Sequence, residues 1–568
     1  MKKLPPRYKH QQKVLTISKD KVAYALLMEM GTAKTRVIIE TAEHLFKKGK
    51  IEALVVLSPN GVQRNWVLNE IPKWCTTRYR TAWWISAPNK RQLENLTKLT
   101  ARPYDGLRIL TANFESCILP KFKLYIKKYL RSFPSLLTLD ESTRIKSPQA
   151  KRTKFIVNLR HEAPYRRIMS GFVTPNSPFD LYKQFEFLDP TILGFGSYYA
   201  FKAHFAEIEE NQYLLDAIQE RNAKRNPYVS MFQAEMPFHQ IKLTSGYVLS
   251  PNSSGVVSVP TPYVSEAKKF GLKIVPSGRV PQLVKKNPIT NEPIYRNLDE
   301  LYKLIEPYSF RIMKSECLDL PEKVYKRLLV EMTAKQRRVY DAVLNELIAE
   351  FEEGEMTSQL AIVKMTRLQQ IAGGFWKLDE ERDVKPIDNK FPKVEAIMDH
   401  IEDVNGKVTV WTHYQHENEL LADQLRTAYG DKSVVQYYGG SGSNAKRMLA
   451  VDQFQNIIRD KKGNKISEDE EESGVRFFIG EPHSGGIGIE LTKAETVYYH
   501  SNSFNLEDRL QSEDRHHRSG VRHVVTYIDV EVIDTIEGEI INALRAKKNV
   551  AHVIMGDGKV SWLGRGIA

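Results

Sequence analysis

A chain of 568 residues is too long for one hydrophobic core and implies two to four domains. Its hydrophobic share of 42% and charged share of 27% are those of a soluble globular protein, and no run of about 18 apolar residues is present to span a membrane. The net charge of +14 favours a polyanionic partner, nucleic acid foremost.

The N-terminal MKKLPPRYKH has basic residues but no apolar stretch behind them, so it does not read as a secretory signal. Cys75, Cys117 and Cys317 are scattered and form neither a zinc pattern nor a disulfide framework. A cytoplasmic, reducing setting is expected. Through residue 205 the chain alternates short apolar runs with amphipathic segments such as Thr35–Lys47. The runs are Leu54–Leu57, Leu107–Leu110, Leu136–Leu139 and Arg167–Met169. This alternation predicts a parallel sheet covered by helices. Residues 206–300 are rich in Pro, Ser, Gly and Lys and read as an irregular or β-rich insertion. Its lysine pairs, Lys268 with Lys269 and Lys285 with Lys286, suit either a secondary contact to nucleic acid or a solvated face. Residues 301–385 are expected to be a helical linker or protrusion, with the helical pattern running over 331–372. From 386 to 568 the α/β pattern returns. Its strand candidates are Val408–Thr412, Val434–Tyr438, Val475–Ile479, Thr496–His500 and Val524–Asp529. Arg459–Ser473 is charged and nearly devoid of apolar residues, as in a loop.

Three places carry chemistry. Between a strand end at Leu26–Leu27 and a helix at Thr35–Ala42 lies MGTAKT, Met30–Thr35. Backbone N–H groups of Gly31, Thr32 and Ala33, with the helix N-terminus, can cradle the phosphates of ATP. Lys34 reaches the terminal phosphates and the Thr35 hydroxyl ligates Mg2+. Asp140 and Glu141 follow an apolar run, where one carboxylate can hold the metal and the other can orient a water. Arg515 and Arg518 stand three apart in QSEDRHHRSG, Gln511–Gly520. If that segment opens a helix, both guanidinium groups share one face. Trp66 and Trp74 read as core, and the adjacent His516 and His517 as surface residues.

The ordered set of motifs resembles the Swi/Snf-type ATPases of helicase superfamily two, which are double-stranded DNA translocases. It runs through HQQKVL (His10–Leu15), MEMGTAKT, LVVLSPNGVQRNWVLNEIPKW (Leu54–Trp74) and LTANFES (Leu110–Ser116). It continues through LDESTRIKSP (Leu139–Pro148), MSGFVTPNSPFDLYKQFEFLDP (Met169–Pro190), TRLQQIAGG (Thr366–Gly374) and VWTHYQ (Val410–Gln415). It ends in the long block Gly485–Gly520. The compact layout is most similar to phage and bacterial members. The resemblance implies two RecA-like lobes with ATP and Mg2+ between them. It assigns Gln11 to the adenine edge, Gly488 and Glu490 to the cleft, and Gln511, Arg515 and Arg518 to the nucleotide, the arginines to its transition-state charge. Ser58, Asn60, Asn113 and Thr412 lie in the segments that would face the nucleic-acid backbone. Two departures stand out. Ala33 replaces the usual glycine, and Ser170-Gly171-Phe172-Val173-Thr174-Pro175 replaces a simpler Ser-Gly-Thr-Pro, which puts the coupling of ATP state to lobe movement in doubt. An RNA or single-strand helicase, and a nucleotide-responsive DNA-binding scaffold with weak turnover, remain open beside the duplex translocase.

Overall fold

The structure is a computed structural model, and it describes residues 4–171, 174, 177–210, 230–235, 240–246, 248–250, 256–270, 272, 274–276, 282–287, 293–352, 358–377, 384–459, 465–468, 474–484, 489–518 and 520–554. The chain divides into two compact units: Met1–Phe201 with Leu298–Ala568, and Lys202–Asn297. The first unit holds two wholly parallel sheets among its described residues.

The first sheet has the strands β1 Ala23–Met28, β2 Ala53–Ser58, β3 Tyr79–Trp83, β4 Leu107–Asn113, β5 Ser135–Asp140, β6 Tyr165–Met169 and β7 Ser309–Ile312, in the order β7-β1-β6-β5-β2-β4-β3. Its central strands read as unbroken apolar runs because helices cover both faces; ALVVLS of β2 is buried at every position. Helix α1 spans Lys9–Ser18 and helix α2 spans Lys34–Lys47. In α2, Val37, Ile38, Ile39, Ala42 and Leu45 pack into the same cluster as Leu26, Met28, Leu54 and Val56. That packing fixes the turn between β1 and α2, and with it the phosphate loop.

The second sheet has β8 Lys323–Val330, β9 Lys407–Trp411, β10 Val434–Tyr437, β11 Phe477–Gly480, β12 Ala494–Tyr499 and β13 Val525–Val532, in the order β8-β13-β12-β9-β11-β10. Separate apolar clusters cover its two faces, one around Trp411, Phe478 and Tyr499, the other around Val410, Ile479 and Tyr498. The two α/β lobes expected from the alternation are therefore present. The expectation for 301–385 needs correction. Helices Ala334–Glu352 and Ser358–Ala372 form there, but β7 and β8 precede them and supply an edge strand to each sheet. Edge strands are half-exposed and carry charge, so KVYKRLLV of β8 lacks the continuous apolar signature of the inner strands.

The unit Lys202–Asn297 is built of short antiparallel pairings. Ser230–Glu235 lies between Val256–Pro260 and Ile274–Pro276, Ile208–Glu210 pairs with Gln282–Val284, and Ile241–Lys242 with Val248–Leu249. Leu243, Leu249, Val257, Val259, Ala267 and Leu272 form its small core. No helix among the described residues is long and apolar enough to cross a membrane.

Candidate nucleotide site and interlobe cleft

In a parallel sheet all strand ends of one polarity share an edge, and here β1, β5 and β6 bring three motif loops to it. The loop after β1 bends left-handed twice, at Gly31 (φ 81°) and at Ala33 (φ 62°), before α2 begins at Lys34. Helix α1 braces it: His10 Nε2 donates to the Thr32 carbonyl at 2.9 Å, and Gln11 Nε2 to the Ala33 carbonyl at 3.3 Å. The Thr32 hydroxyl closes the turn onto the Glu29 carbonyl at 2.7 Å. Lys34 is buried, and its Nζ donates to the Met28 carbonyl at 2.8 Å. Thr35 is half-buried in the first turn of α2.

Asp140 ends β5, and Glu141 turns left-handed at φ 57°. Trp66, buried as expected of a core residue, also donates its indole Nε1 to Asp140 Oδ2 at 2.8 Å. Burial raises the Asp140 pKa, while the Trp66 hydrogen bond and the Lys34 charge pull it back. Burial pushes the Glu141 pKa up to about 7, with Lys34 lowering it and Asp140 raising it. The Lys34 ammonium thus acts on both carboxyls. Ser170, after β6, reaches Glu141 Oε2 at 3.4 Å. Phe172, Val173 and Pro175 lie outside the described residues.

Across from this edge stands helix α3, Leu506–Asp514, of the second lobe. Asn505 caps it by accepting from Glu507 N at 3.1 Å. Contact between the lobes is direct: the Thr143 hydroxyl donates to Glu507 Oε1 at 2.9 Å, and Gln511 Nε2 reaches the same oxygen at 3.2 Å. A cavity of about 480 Å³ opens between them, bordered by Glu29, Glu141, Lys314, Glu507, Gln511 and Asp514 among others.

The segment Gln511–Gly520 does not open a helix. It begins inside α3, and the helix stops at Asp514, so the shared-face argument for the two arginines does not hold. Beside backbone N–H groups of the following turn, side chains bond the last carbonyls of α3: His516 Nδ1 on Ser512 O, the Tyr527 hydroxyl on Glu513 O, and Arg518 Nε on Asp514 O. Arg515 is buried, stacked 5.0 Å from the Trp411 ring centroid with Nη2 on the Pro482 carbonyl at 3.0 Å; burial lowers its pKa to about 10. Arg518 Nη1 donates to Glu490 Oε1 at 3.0 Å, on an exposed carboxylate. Neither arginine borders the cavity, whereas Gln511 does. Gly488 lies outside the described residues. The surface expectation for His516 and His517 is also corrected. The turn after α3 folds both inward, His516 against Trp411 and Tyr527, and His517 with Nε2 on the Pro321 carbonyl at 2.7 Å.

Of the residues expected at nucleic acid, Asn60 and Asn113 meet at the ends of β2 and β4, with Asn113 Nδ2 donating to Asn60 Oδ1 at 3.4 Å. Ser58 and Thr412 are fully buried instead, Thr412 beneath Asn418, so neither hydroxyl is open to a phosphate. Both are strand-end positions whose side chains fall on the core face. Lys268, Lys269, Lys285 and Lys286 are exposed in the unit Lys202–Asn297. His10, Trp66, Lys314 and Asp514 were not singled out as site residues by sequence. Their signal is purely tertiary, since each acts on a group remote in the chain.

Residues 10–232 match the family described as SNF2-related domain. The ATP-dependent helicase brm of Drosophila melanogaster is 21% identical over 554 residues, covering 93% of this chain and 28% of that protein. The transcription regulatory protein SNF2 of Saccharomyces cerevisiae is also 21% identical over 554 residues, covering 94% and 26%. The putative ATP-dependent helicase/translocase YwqA of Bacillus subtilis is 23% identical over 276 residues, covering 47% and 28%. The chain spans about a quarter of the length of these relatives. A solved Sulfolobus solfataricus SWI2/SNF2 ATPase core in complex with dsDNA aligns over 97% of this chain and 94% of its own at 18% identity, with a TM-score of 0.36. Residues 10–232 thus match an SNF2-related domain, and nearly the whole chain is similar to Swi/Snf-type relatives.

Proposed function

We propose that the chain is an ATP-driven motor that tracks along double-stranded DNA, hydrolysing ATP where the phosphate loop faces helix α3. The observation that carries this reading is the convergence of Lys34, Asp140 and Glu141 on one sheet edge, with the Lys34 charge acting on both carboxyls. The residues fit a magnesium–triphosphate. The left-handed turns at Gly31 and Ala33 and the start of α2 make an anion cradle, and Thr35 and Asp140 would hold the metal. When bound, the metal neutralises phosphate charge. Lys34 exchanges the Met28 carbonyl for phosphate oxygens. Glu141, beside Asp140 and raised toward neutrality by burial, orients the attacking water and accepts its proton. Gln511 and Glu507 present the second lobe to the cleft, so closing the lobes completes the site.

Duplex DNA is the substrate that the +14 charge and the Swi/Snf relationship favour, with phosphate contacts supplying binding without regard to sequence. The weak-turnover scaffold stays in play because Arg515 is held on Trp411 and Pro482, and Arg518 on Glu490. Both would have to leave these partners to act as arginine fingers. Steady-state ATPase with duplex DNA, single-stranded DNA, RNA and no nucleic acid separates the readings. Duplex should stimulate most, and Lys34→Ala should abolish nearly all of that turnover while staying folded. Stimulation by RNA alone overturns the duplex assignment; duplex binding with background ATPase favours the scaffold.

A further inference from the structure

Lys314 ties the two lobes together at the edge of the phosphate loop. Its backbone belongs to the first lobe: it follows β7, and its N–H donates to Glu29 Oε2 at 2.7 Å. Its side chain belongs to the second lobe: Nζ donates to Asp514 Oδ1 at 2.5 Å and to the His517 carbonyl at 2.8 Å. The pair is enclosed, with side-chain exposures of 4% and 7%. The same side chain also runs along the loop. A Cβ built on Gly31 would stand 3.4 Å from Lys314 Cε and 4.0 Å from Nζ. A buried cation therefore borders the cradle where phosphate is expected, with its charge taken by a carboxylate.

A buried ion pair is poor evidence of stability, because desolvation offsets most of the attraction, and breaking one usually strands a charge. Asp514 is not stranded here. Lys323 Nζ lies 4.0 Å from Asp514 Oδ1 and 3.0 Å from Glu513 Oε2, so a second cation is already at hand. Lys314 can leave at little cost, provided that another anion receives it.

Resting on the nucleotide-site reading above, we infer that Lys314 is a switching cation, which leaves Asp514 for the phosphates of a bound nucleotide, so that Asp514 and the nucleotide compete for one ammonium. The two members of a single ion pair then have opposite effects on nucleotide affinity. A merely structural bridge would instead make both substitutions harmful.

The test is equilibrium binding of a fluorescent, non-hydrolysable ATP analogue with magnesium, with circular dichroism as the check of folding. Asp514→Asn should tighten binding by about fivefold or more, and Lys314→Gln should weaken it by about as much. In the Lys314→Gln background, Asp514→Asn should no longer tighten binding, which separates competition for this lysine from a general gain of positive potential. Shifts in the same direction, or no shift for Asp514→Asn, overturn the inference. If Lys314→Gln does not fold, Asp514→Asn alone decides on the same criterion. If the folded wild-type protein binds no analogue, the nucleotide-site reading falls and this inference with it; if it binds and the signs are not opposite, only the role of Lys314 falls.

Discussion

Ala33 holds a left-handed conformation, φ 62° and ψ 43°, where a side chain crowds the following carbonyl. That conformation costs an L-residue about 1–2 kcal/mol, whereas a glycine pays only through its looser unfolded chain, about 0.4–1 kcal/mol. Relief of strain wins the comparison. Ala33→Gly should stabilise the protein by about 1 kcal/mol in urea unfolding, with turnover equal or higher. A clear loss of turnover would mean that the loop needs the alanine Cβ. The departure from the usual glycine was legible in the sequence, but not that the backbone keeps the glycine's conformation. Lys34, Asp140 and Glu141 were legible because their chemistry is local to a strand end. The Trp66 indole on Asp140 and the Lys314 ammonium on Asp514 were not, since the partners lie 74 and 200 residues apart.

Helix α3 shows where periodicity stops being informative. QSEDRHHRSG has no proline or early glycine to end a helix, yet the helix stops at Asp514, where side chains of the following turn, His516 and Arg518, and the Tyr527 hydroxyl of β13 bond the terminal carbonyls. The two arginines consequently differ. Arg515→Ala removes a buried guanidinium from Trp411 and the Pro482 carbonyl and should cost about 1–3 kcal/mol of stability. Arg518→Ala breaks a partly exposed pair with Glu490 and should cost less than about 1 kcal/mol. If each is a finger, each substitution also lowers turnover by about three orders of magnitude with little change in ATP affinity. Binding, turnover and urea unfolding, measured separately, sort the roles; normal turnover in destabilised Arg515→Ala would leave that residue structural. The same turn sets a pH dependence. Burial lowers the His516 pKa from 6.5 to about 3. Because the folded value is depressed, its contribution is fully present above about pH 6.5 and is lost as pH falls toward 3, at up to about 1.4 kcal/mol per pH unit. His516→Asn keeps a donor for Ser512 O but cannot titrate, so its stability should fall less steeply than wild type between pH 7 and 5. Equal slopes in urea titrations would show that His516 does not set the dependence.

On the scale of the whole molecule, the inner strands were legible as apolar runs, but the connection between lobes was not. β7 and β8 are edge strands whose charges mask their pattern, and strand order in a parallel sheet follows from crossovers that no local run encodes. On the proposed function, contacts to DNA would be divided accordingly. Asn60 and Asn113, meeting at one edge of the first sheet, are on the lobe that also carries the phosphate loop, so that DNA, if it binds there as proposed, would respond to the ATP state. The exposed pairs Lys268, Lys269 and Lys285, Lys286 belong to a separate unit with its own core, and would supply affinity that does not vary with nucleotide. Neutralising these four lysines should flatten the dependence of duplex binding on salt, by about one unit of slope for each DNA phosphate that a lysine no longer neutralises. ATP turnover at saturating DNA should change little, because no residue of the phosphate loop or of α3 is touched. Binding titrations at several salt concentrations, with ATPase measured in parallel, check both halves. An unchanged slope makes the insertion a solvated face, while a normal slope with impaired turnover would make its lysines part of the motor instead of an auxiliary grip.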